Sequence, residues 1–401
     1  MSQPRFPLFS LLVISGAIFA SISSEFLPTG LLPDISGTLR VSESRVGLLV
    51  TVFAFTVALT TIPLTRLTQR FSRKGLMVTL LLVFAVANVL AGLSHSYEFL
   101  VFARILGGLA HGLFWAVTGP YASRLVPRTQ LVRALSITNA GGSAAFILGV
   151  PLGTALGHAV GWQIAFFVMA GVVLVFTALV VLFLPPVEHI HTLTTGEIGL
   201  PGHKDKTIPA VVAACILCII LMLGQNTFNT YVAPWIIGPA GFDPSAVAPL
   251  LFVSGATGAV GLFVSGYFGD KYPRSTFAIL AGLIGVVMLF LYLLSGTQGA
   301  VIALFAVLGI AFGGLPSLLH ARVLGVASPR IRDLASASLT VSFNLAIGGG
   351  ALLGGILLDA FGVGILPLAY LAFVVVALIV GTVDDLNVRR RHKIQDTSAV
   401  R

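Results

Sequence analysis

The chain has 401 residues, of which 57% are hydrophobic and only 9% are charged, and its mean hydropathy is +1.02. Because about 25% of residues are charged in soluble proteins, such a chain cannot cover a water-facing surface, and its surroundings must be mostly lipid. The formal net charge of +9 would suit a nucleic-acid partner, but the position of the cations relative to the apolar runs explains it differently.

Apolar runs of about 20 residues recur along the whole chain, and each is long enough to cross roughly 30 Å of hydrocarbon as an α-helix. They predict twelve membrane spans at 8–33, 44–64, 76–94, 99–122, 134–158, 163–184, 208–236, 245–268, 276–295, 299–321, 335–358 and 363–383. A β-barrel is excluded, because its strands would be about ten residues of alternating polarity. The predicted fold class is an all-α integral membrane protein.

Lysine and arginine are distributed unequally between the two sides of the predicted membrane. With an even number of spans, both termini lie on the same side. Of the 23 Lys and Arg residues, only Arg40 and Arg45 fall in loops on the opposite side, and Arg104 falls inside a span. The positive-inside rule therefore predicts that both termini are cytoplasmic. The basic composition reflects membrane topology, and no nucleic-acid partner is expected.

The two halves of the chain repeat one pattern. A shift of 201 residues places Gly108 on Gly309 and Gly149 on Gly350. Two parallel, pseudo-symmetric six-helix halves predict an axis along the membrane normal and a binding site near the midplane between them. The predicted divisions are an N-terminal six-helix bundle at 1–185, a cytoplasmic linker at 186–207, a C-terminal six-helix bundle at 208–385 and a basic cytoplasmic tail at 386–401.

Glu25 is the only acidic residue deep inside any predicted span. A charge near the bilayer centre costs about 2.5–3.5 kcal/mol even on the lenient insertion scale, so a chain that keeps one there usually needs it. Ser21 and Thr29 lie four residues to either side and share its helix face. Arg104 of span 4 falls at a matching depth. Two interpretations stay open: Glu25 binds a coupling proton, or it forms a structural ion pair with Arg104.

Polar side chains on other spans extend this candidate site. His111 follows Arg104 on one face of span 4, where it contacts substrate or proton, or is a polar residue satisfied between helices. The repeat places Asn226 at the position of Glu25, so the second half presents a neutral group where the first has a charge. The predicted solute cavity is lined by Ser21, Thr29, Trp115, Asn139, Gln225, Asn226, Asn229, Tyr231 and Asn344.

Five stretches carry a resemblance to a known family. They are TRLTQRFSRK at 65–74, GYFGDKYPR at 266–274, GVPLGTALG at 149–157, SEFLPTGLLPDI at 24–35 and AHGLFW at 110–115. Together they resemble the major facilitator superfamily, its twelve-span drug:proton antiporter branch, and the sugar-efflux and chloramphenicol-export members of that branch. The resemblance extends over the whole chain.

The resemblance implies a role for each stretch. The acid of span 1 and the arginine of span 4 would serve proton coupling and substrate binding. The two loop stretches would gate the cytoplasmic side, although Gln69 stands where the family has an aspartate. The glycines of span 5 would let helices slide and close against leakage. The gating residues predicted on this basis are Arg70, Arg73, Gly149, Pro151, Gly153, Asp270 and Arg274.

These observations favour a secondary active transporter that exports small solutes, such as sugars or chloramphenicol-like drugs, by proton-coupled antiport and alternating access. A facilitator or a proton-coupled importer on the same fold is the alternative. An enzyme or receptor is disfavoured, because the sequence has no Ser/His/Asp arrangement, metal motif or Walker loop, and no cofactor is expected. We expect a monomer in the inner membrane of a bacterium, with protons, a small solute and lipid as its partners.

Overall fold

The computed structural model describes residues 6–68, 71–127, 130–186, 205, 207–328 and 331–399. In these ranges, 12 helices are long and apolar enough to cross a membrane, which confirms the predicted spans, and their numbers are kept here. The side on which span 1 begins and span 12 ends is called the terminal side, and the opposite one the far side.

The helices follow one another with short breaks, and spans 5 and 10 each contain more than one helix. The α-helices are Leu8–Gly30, Leu32–Leu39, Glu43–Leu67, Arg73–Gly92, Tyr97–Arg124, Leu131–Ala144, Val150–Val160, Trp162–Phe183, Ile208–Asn229, Val232–Ile237, Val247–Lys271, Pro273–Leu293, Gln298–Gly313, Leu315–Val326, Arg332–Phe361 and Leu366–Ala399. Short 3-10 helices precede spans 8 and 12, at Pro244–Ala246 and Val363–Ile365.

The first span of each half ends before its apolar run does. Span 1 ends at Gly30, and the short helix Leu32–Leu39 follows with Pro33 in its first turn. Span 7 likewise ends at Asn229 and is followed by Val232–Ile237. Proline has no N–H and clashes with the preceding turn, so it starts a new helix here rather than continuing the old one.

Span 5 contains a wide turn directly before Pro151. Residues Ala145–Gly149 form a π-helix, and Val150–Val160 continues as an α-helix. Pro151 cannot donate the backbone hydrogen bond that a regular helix would make at this point, and π-turns are a common site of such local distortion. The backbone of span 5 is therefore irregular directly before this proline.

Glycines bring span 5 close to span 1. A Cβ atom on Gly149 would overlap the hydroxyl of Ser23, and one on Gly153 would lie 2.7 Å from a methyl carbon of Leu27. In the second half, a Cβ atom on Gly350 of span 11 would lie 2.6 Å from the Leu223 carbonyl oxygen of span 7. Both pairs of helices thus pack through the flat surface that small residues create.

The two halves meet near the membrane centre and on the far side. Span 2 packs along span 11, where Thr51 donates a hydrogen bond to the Gly348 carbonyl oxygen at 3.0 Å. Span 8 packs against residues 145–160, which form the far-side part of span 5. The short helices that follow spans 1 and 7 also contact each other. The far side is therefore closed between the halves in this conformation.

Candidate functional site

Glu25 lies near the far-side end of span 1, and its carboxylate contacts His111 of span 4. Its Oε2 atom is 3.3 Å from Nε2 of His111, and the other ring nitrogen, Nδ1, is 2.8 Å from the hydroxyl of Ser21. Ser21 and Glu25 can reach the same ring because they are one helical turn apart. The side chains of Glu25 and His111 are 6% and 5% exposed, so the pair is shielded from water.

The Glu25–His111 pair can bind a proton without losing a hydrogen bond. With Glu25 ionised, Nε2–H of the neutral ring donates to the carboxylate, and Nδ1 accepts from the hydroxyl of Ser21. With Glu25 protonated, its O–H donates to Nε2, and Nδ1–H donates to Ser21. Because a hydroxyl can donate and accept, both states leave these buried atoms paired, which avoids the cost of an unsatisfied polar group.

Arg104 does not form the direct ion pair with the Glu25 carboxylate that was one of the two open interpretations. Its Nη1 atom donates to the carbonyl oxygen of Ser24 at 3.1 Å, and Nη2 donates to that of Glu25 at 2.8 Å. Pro28 has no N–H, so the Ser24 carbonyl lacks its normal partner four residues ahead, and the guanidinium supplies the donor. The direct contact of Arg104 is thus with the backbone that carries the acid.

Asn88 of span 3 also belongs to this cluster, although the sequence patterns did not identify it. Its Oδ1 atom accepts a hydrogen bond from the hydroxyl of Ser24 at 2.5 Å. The ring of Phe53 covers the guanidinium of Arg104 at 4.2 Å from the centroid, a cation–π contact that stabilises a buried charge. Asn88 is the only amide in the apolar run 76–94, and that isolation is the signal that could have identified it.

The other predicted cavity residues differ in accessibility. Thr29 and Asn226 are buried, and each donates to a carbonyl oxygen of its own helix. Half-buried or exposed side chains are those of Trp115, Asn139, Gln225, Asn229 and Asn344. In this conformation the more accessible members of the predicted set are therefore amides and one indole, with Oε1 of Gln225 itself buried, while the ionisable Glu25–His111 pair is enclosed.

Tyr231 lies in the far-side contact between the halves rather than on an accessible wall. It is 0% exposed, and its hydroxyl donates to the Ala351 carbonyl oxygen at 2.8 Å. A Cβ atom on Gly47 of span 2 would overlap this hydroxyl, and one on Gly355 of span 11 would lie 2.6 Å from it. Tyr231 thus fills the far-side contact, and two glycines provide the space for it.

Gly47→Ala is expected to loosen this contact, because the added methyl group would overlap the Tyr231 hydroxyl. A single cysteine at the buried Ser44, in a background without Cys215 and Cys218, should then react several-fold faster with a water-soluble maleimide. The matched control is Gly37→Ala, since a Cβ atom at Gly37 has no neighbour within 4 Å. Equal reaction rates in both variants would contradict this account of the contact.

The predicted gating loops are only partly described. Arg70 lies outside the described residues, and so does the side chain of Asp270. Arg73 is half-buried, and its Nε atom has no hydrogen-bond partner among the described residues. Arg274 is exposed. The gating role of these four residues stays a prediction.

The fold and the site together define a class of protein. Two six-helix halves, closed against each other on one side and holding a buried ionisable pair in a membrane span, are features of a membrane solute carrier. The family model of the Major Facilitator Superfamily matches residues 14–213 and again residues 214–391. The chain belongs to this superfamily, as the sequence motifs predicted, and is a multi-pass membrane transporter.

Several known proteins are similar to the chain. A probable sugar efflux transporter of Helicobacter pylori (strain G27) is 31% identical over 373 residues, and the alignment covers 93% of each chain. A protein of the same name from Helicobacter acinonychis (strain Sheeba) is 32% identical over 375 residues, again with 93% of each chain covered. These two relatives cover nearly the whole chain, so the similarity is not confined to one half.

Solved structures of transporters share the fold. The nucleoside transporter NupG has a TM-score of 0.76 at 14% identity, with 94% of this chain and 99% of that chain covered. A bacterial homologue of the human lysosomal transporter Spinster, in an inward-facing and unoccupied conformation, has a TM-score of 0.70 at 15% identity, with 96% of each chain covered. At these identities the likeness shows the fold alone.

Proposed function

We propose that this transporter exports a small, uncharged, hydroxyl-rich solute such as a sugar in exchange for entering protons. The observation that carries the proposal is the buried Glu25–His111 pair, which can bind and release a proton between two spans. The accessible amides and Trp115 offer hydrogen bonds and an apolar ring face, which suit hydroxyl groups better than a strong cation. The names of the two Helicobacter relatives support a sugar as the solute.

The proton gradient is large enough for this task. Moving one charge through the membrane potential provides about 2.3 kcal/mol per 100 mV, so a proton-motive force of ~150 mV provides about 3.4 kcal/mol per proton. At about 1.4 kcal/mol for each factor of ten, one proton per solute supports a gradient of roughly 300-fold. Coupling requires that the transporter changes conformation only with the solute or the proton bound, so that neither moves down its gradient alone.

Alternating access requires two conformations of the transporter, and the one with a closed far side is the first of them. In the predicted topology the termini are cytoplasmic, so that the closed far side is the external one. The outward-facing state requires Tyr231 to leave span 2, and the glycines of span 5 give span 1 a smooth surface along which to shift. We place the protein in a bacterial inner membrane as a monomer. The Gly-Val-Pro-Leu-Gly stretch at 149–153 favours exchange over uptake by resemblance.

Everted membrane vesicles with an acidic lumen, monitored by a pH-sensitive dye, test the proposal. Addition of the correct pentose, hexose or thiogalactoside to the outside should release luminal protons, and vesicles without the transporter should not respond. Chloramphenicol, tested in parallel, distinguishes a drug from a sugar as the solute. If labelled sugar equilibrates across the membrane while no solute moves protons, the protein is a facilitator and the proposal fails.

A further inference from the structure

A cavity lies on the terminal side between the start of span 3 and the end of span 6. Its volume is about 460 Å³, and it is lined by Ser72, Lys74, Gly75, Val78, Thr79 and Pro186. The two spans pack closely at their far-side ends, where a Cβ atom on Gly92 would lie 2.9 Å from the Gln163 carbonyl oxygen. Toward the terminal side the cavity lies between them, and no side chain of the described residues fills it.

The charges around this cavity are positive. Lys74 donates a hydrogen bond to the Val181 carbonyl oxygen at 2.8 Å, which fixes its ammonium group at the cavity and leaves two further N–H donors for a ligand. Arg73 precedes it in the same helical turn. Between residues 6 and 186, every acidic residue lies in the membrane centre or on the far side: Glu25, Asp34, Glu43 and Glu98. In this described part of the first half, no carboxylate forms an ion pair with Lys74, the one charged residue in the cavity wall.

The surface beside the cavity is apolar. Leu182 and Phe183, at the end of span 6, are 72% and 49% exposed, and Val78 and Pro186 form part of the cavity wall. A ligand that fits this arrangement has an anionic group for the lysine and hydrocarbon for the neighbouring surface. Basic pockets between membrane helices on the cytoplasmic side bind lipid headgroups for the same reason.

We propose that this cavity binds the phosphate headgroup of an anionic phospholipid whose acyl chains lie along the end of span 6. The site belongs to one half only, because the repeat places Ser275 at the position of Lys74. It lies apart from the Glu25–His111 pair, which sits near the far-side end of span 1. Its occupancy therefore does not depend on which solute the protein carries.

Tryptophan quenching by brominated lipids tests the site in the full-length protein. The reporter is Leu182→Trp, reconstituted in phosphatidylcholine vesicles that contain either brominated phosphatidylglycerol or brominated phosphatidylcholine, with the signal of the native tryptophans subtracted. We expect several-fold stronger quenching by the anionic lipid at equal mole fraction. Adding Lys74→Gln should remove most of this preference, whereas Lys74→Arg, which keeps the charge, should retain it.

A second lysine on the terminal side provides the matched control. Lys271 lies at the end of the helix of span 8, with its ammonium group 5.3 Å from the ring centroid of Tyr272, and Lys271→Gln should leave the lipid preference unchanged. Equal quenching by the two lipids in the reporter protein would overturn the proposal. So would a preference that survives Lys74→Gln, or one that excess inorganic phosphate abolishes, since the cavity would then be a free-anion site. Size-exclusion profiles confirm that each variant is folded.

Discussion

Glu25→Gln is expected to reduce solute-driven proton movement to the level of vesicles without the transporter, while downhill solute flux continues. The amide has nearly the same shape as a protonated carboxyl group and can still donate to Nε2 of His111, which lies 3.3 Å from the carboxylate in the wild type. It cannot ionise, so the variant resembles one protonation state permanently. A carrier in that state alternates between its conformations without exchanging a proton, and it becomes a facilitator.

The measurement combines two assays on the same vesicles. A luminal pH dye reports proton movement, and uptake of labelled solute down its gradient reports transport. The control is Glu98→Gln, the same chemical change at a side chain that is 76% exposed and 3.7 Å from Arg45, and it should behave like the wild type. If the wild type proves to be an antiporter and Glu25→Gln still moves protons with solute, another residue carries the proton and the role proposed for Glu25 is wrong.

Hydropathy predicted the membrane spans well but not the breaks within them. Each predicted span is an apolar run that lipid or other helices can cover. The number of runs long enough to cross the membrane gives the number of spans. Span 10 was predicted as one run, yet its helix ends at Gly313, and a new helix begins at Leu315 with Pro316 in its first turn. Such a break changes no hydropathy value, because it depends on backbone hydrogen bonds.

Polar residues in apolar runs identified Glu25 and His111, but not their contact. Sequence position gives the depth of a residue in the membrane, because each helical residue rises 1.5 Å, whereas contact also depends on how neighbouring helices are rotated and tilted. The matching depth therefore left an ion pair between Glu25 and Arg104 open as one of two interpretations, and it could not show the competing partner of Arg104. That partner is the Ser24 carbonyl oxygen, which lacks a helical donor because of Pro28.

Conformational state is a second limit on the sequence argument. Tyr231 was predicted to line the solute cavity together with the amides of span 7. In this structure it is buried between Gly47 and Gly355. A transporter needs two arrangements of its halves, and one sequence encodes both, so a residue pattern cannot say which contacts are present in either.

Gly313→Ala is expected to produce the largest loss of stability among the substitutions considered. A Cβ atom at Gly313 of span 10 would overlap the carbonyl oxygen of Gly258 in span 8 and lie 2.7 Å from its carbonyl carbon. One turn earlier, a Cβ atom at Gly309 would overlap the Ser254 carbonyl oxygen. These neighbours are backbone atoms, which cannot rotate away. The two spans must separate, and overpacking of this kind typically costs about 1–3 kcal/mol.

Two further glycines make the prediction specific. Gly325 lies in the same span, but a Cβ atom there has no neighbour within 4 Å. Gly325→Ala should therefore stabilise the helix by about 0.5–1 kcal/mol. Gly112, the repeat counterpart of Gly313, would overlap only the hydroxyl of Thr61, which can adopt another rotamer, so Gly112→Ala should cost less than Gly313→Ala.

Thermal unfolding of the purified variants in one detergent measures this order. Gly325→Ala should unfold at a higher temperature than the wild type, and Gly313→Ala at the lowest temperature. Gly112→Ala should unfold between the wild type and Gly313→Ala. The order separates two explanations of the glycines that the two halves share. If close backbone contact between spans 8 and 10 is the reason, only the glycine that faces a carbonyl group is costly to replace. If helix flexibility is the reason, all three alanines should raise stability alike, and Gly313→Ala would not unfold at a lower temperature than the wild type.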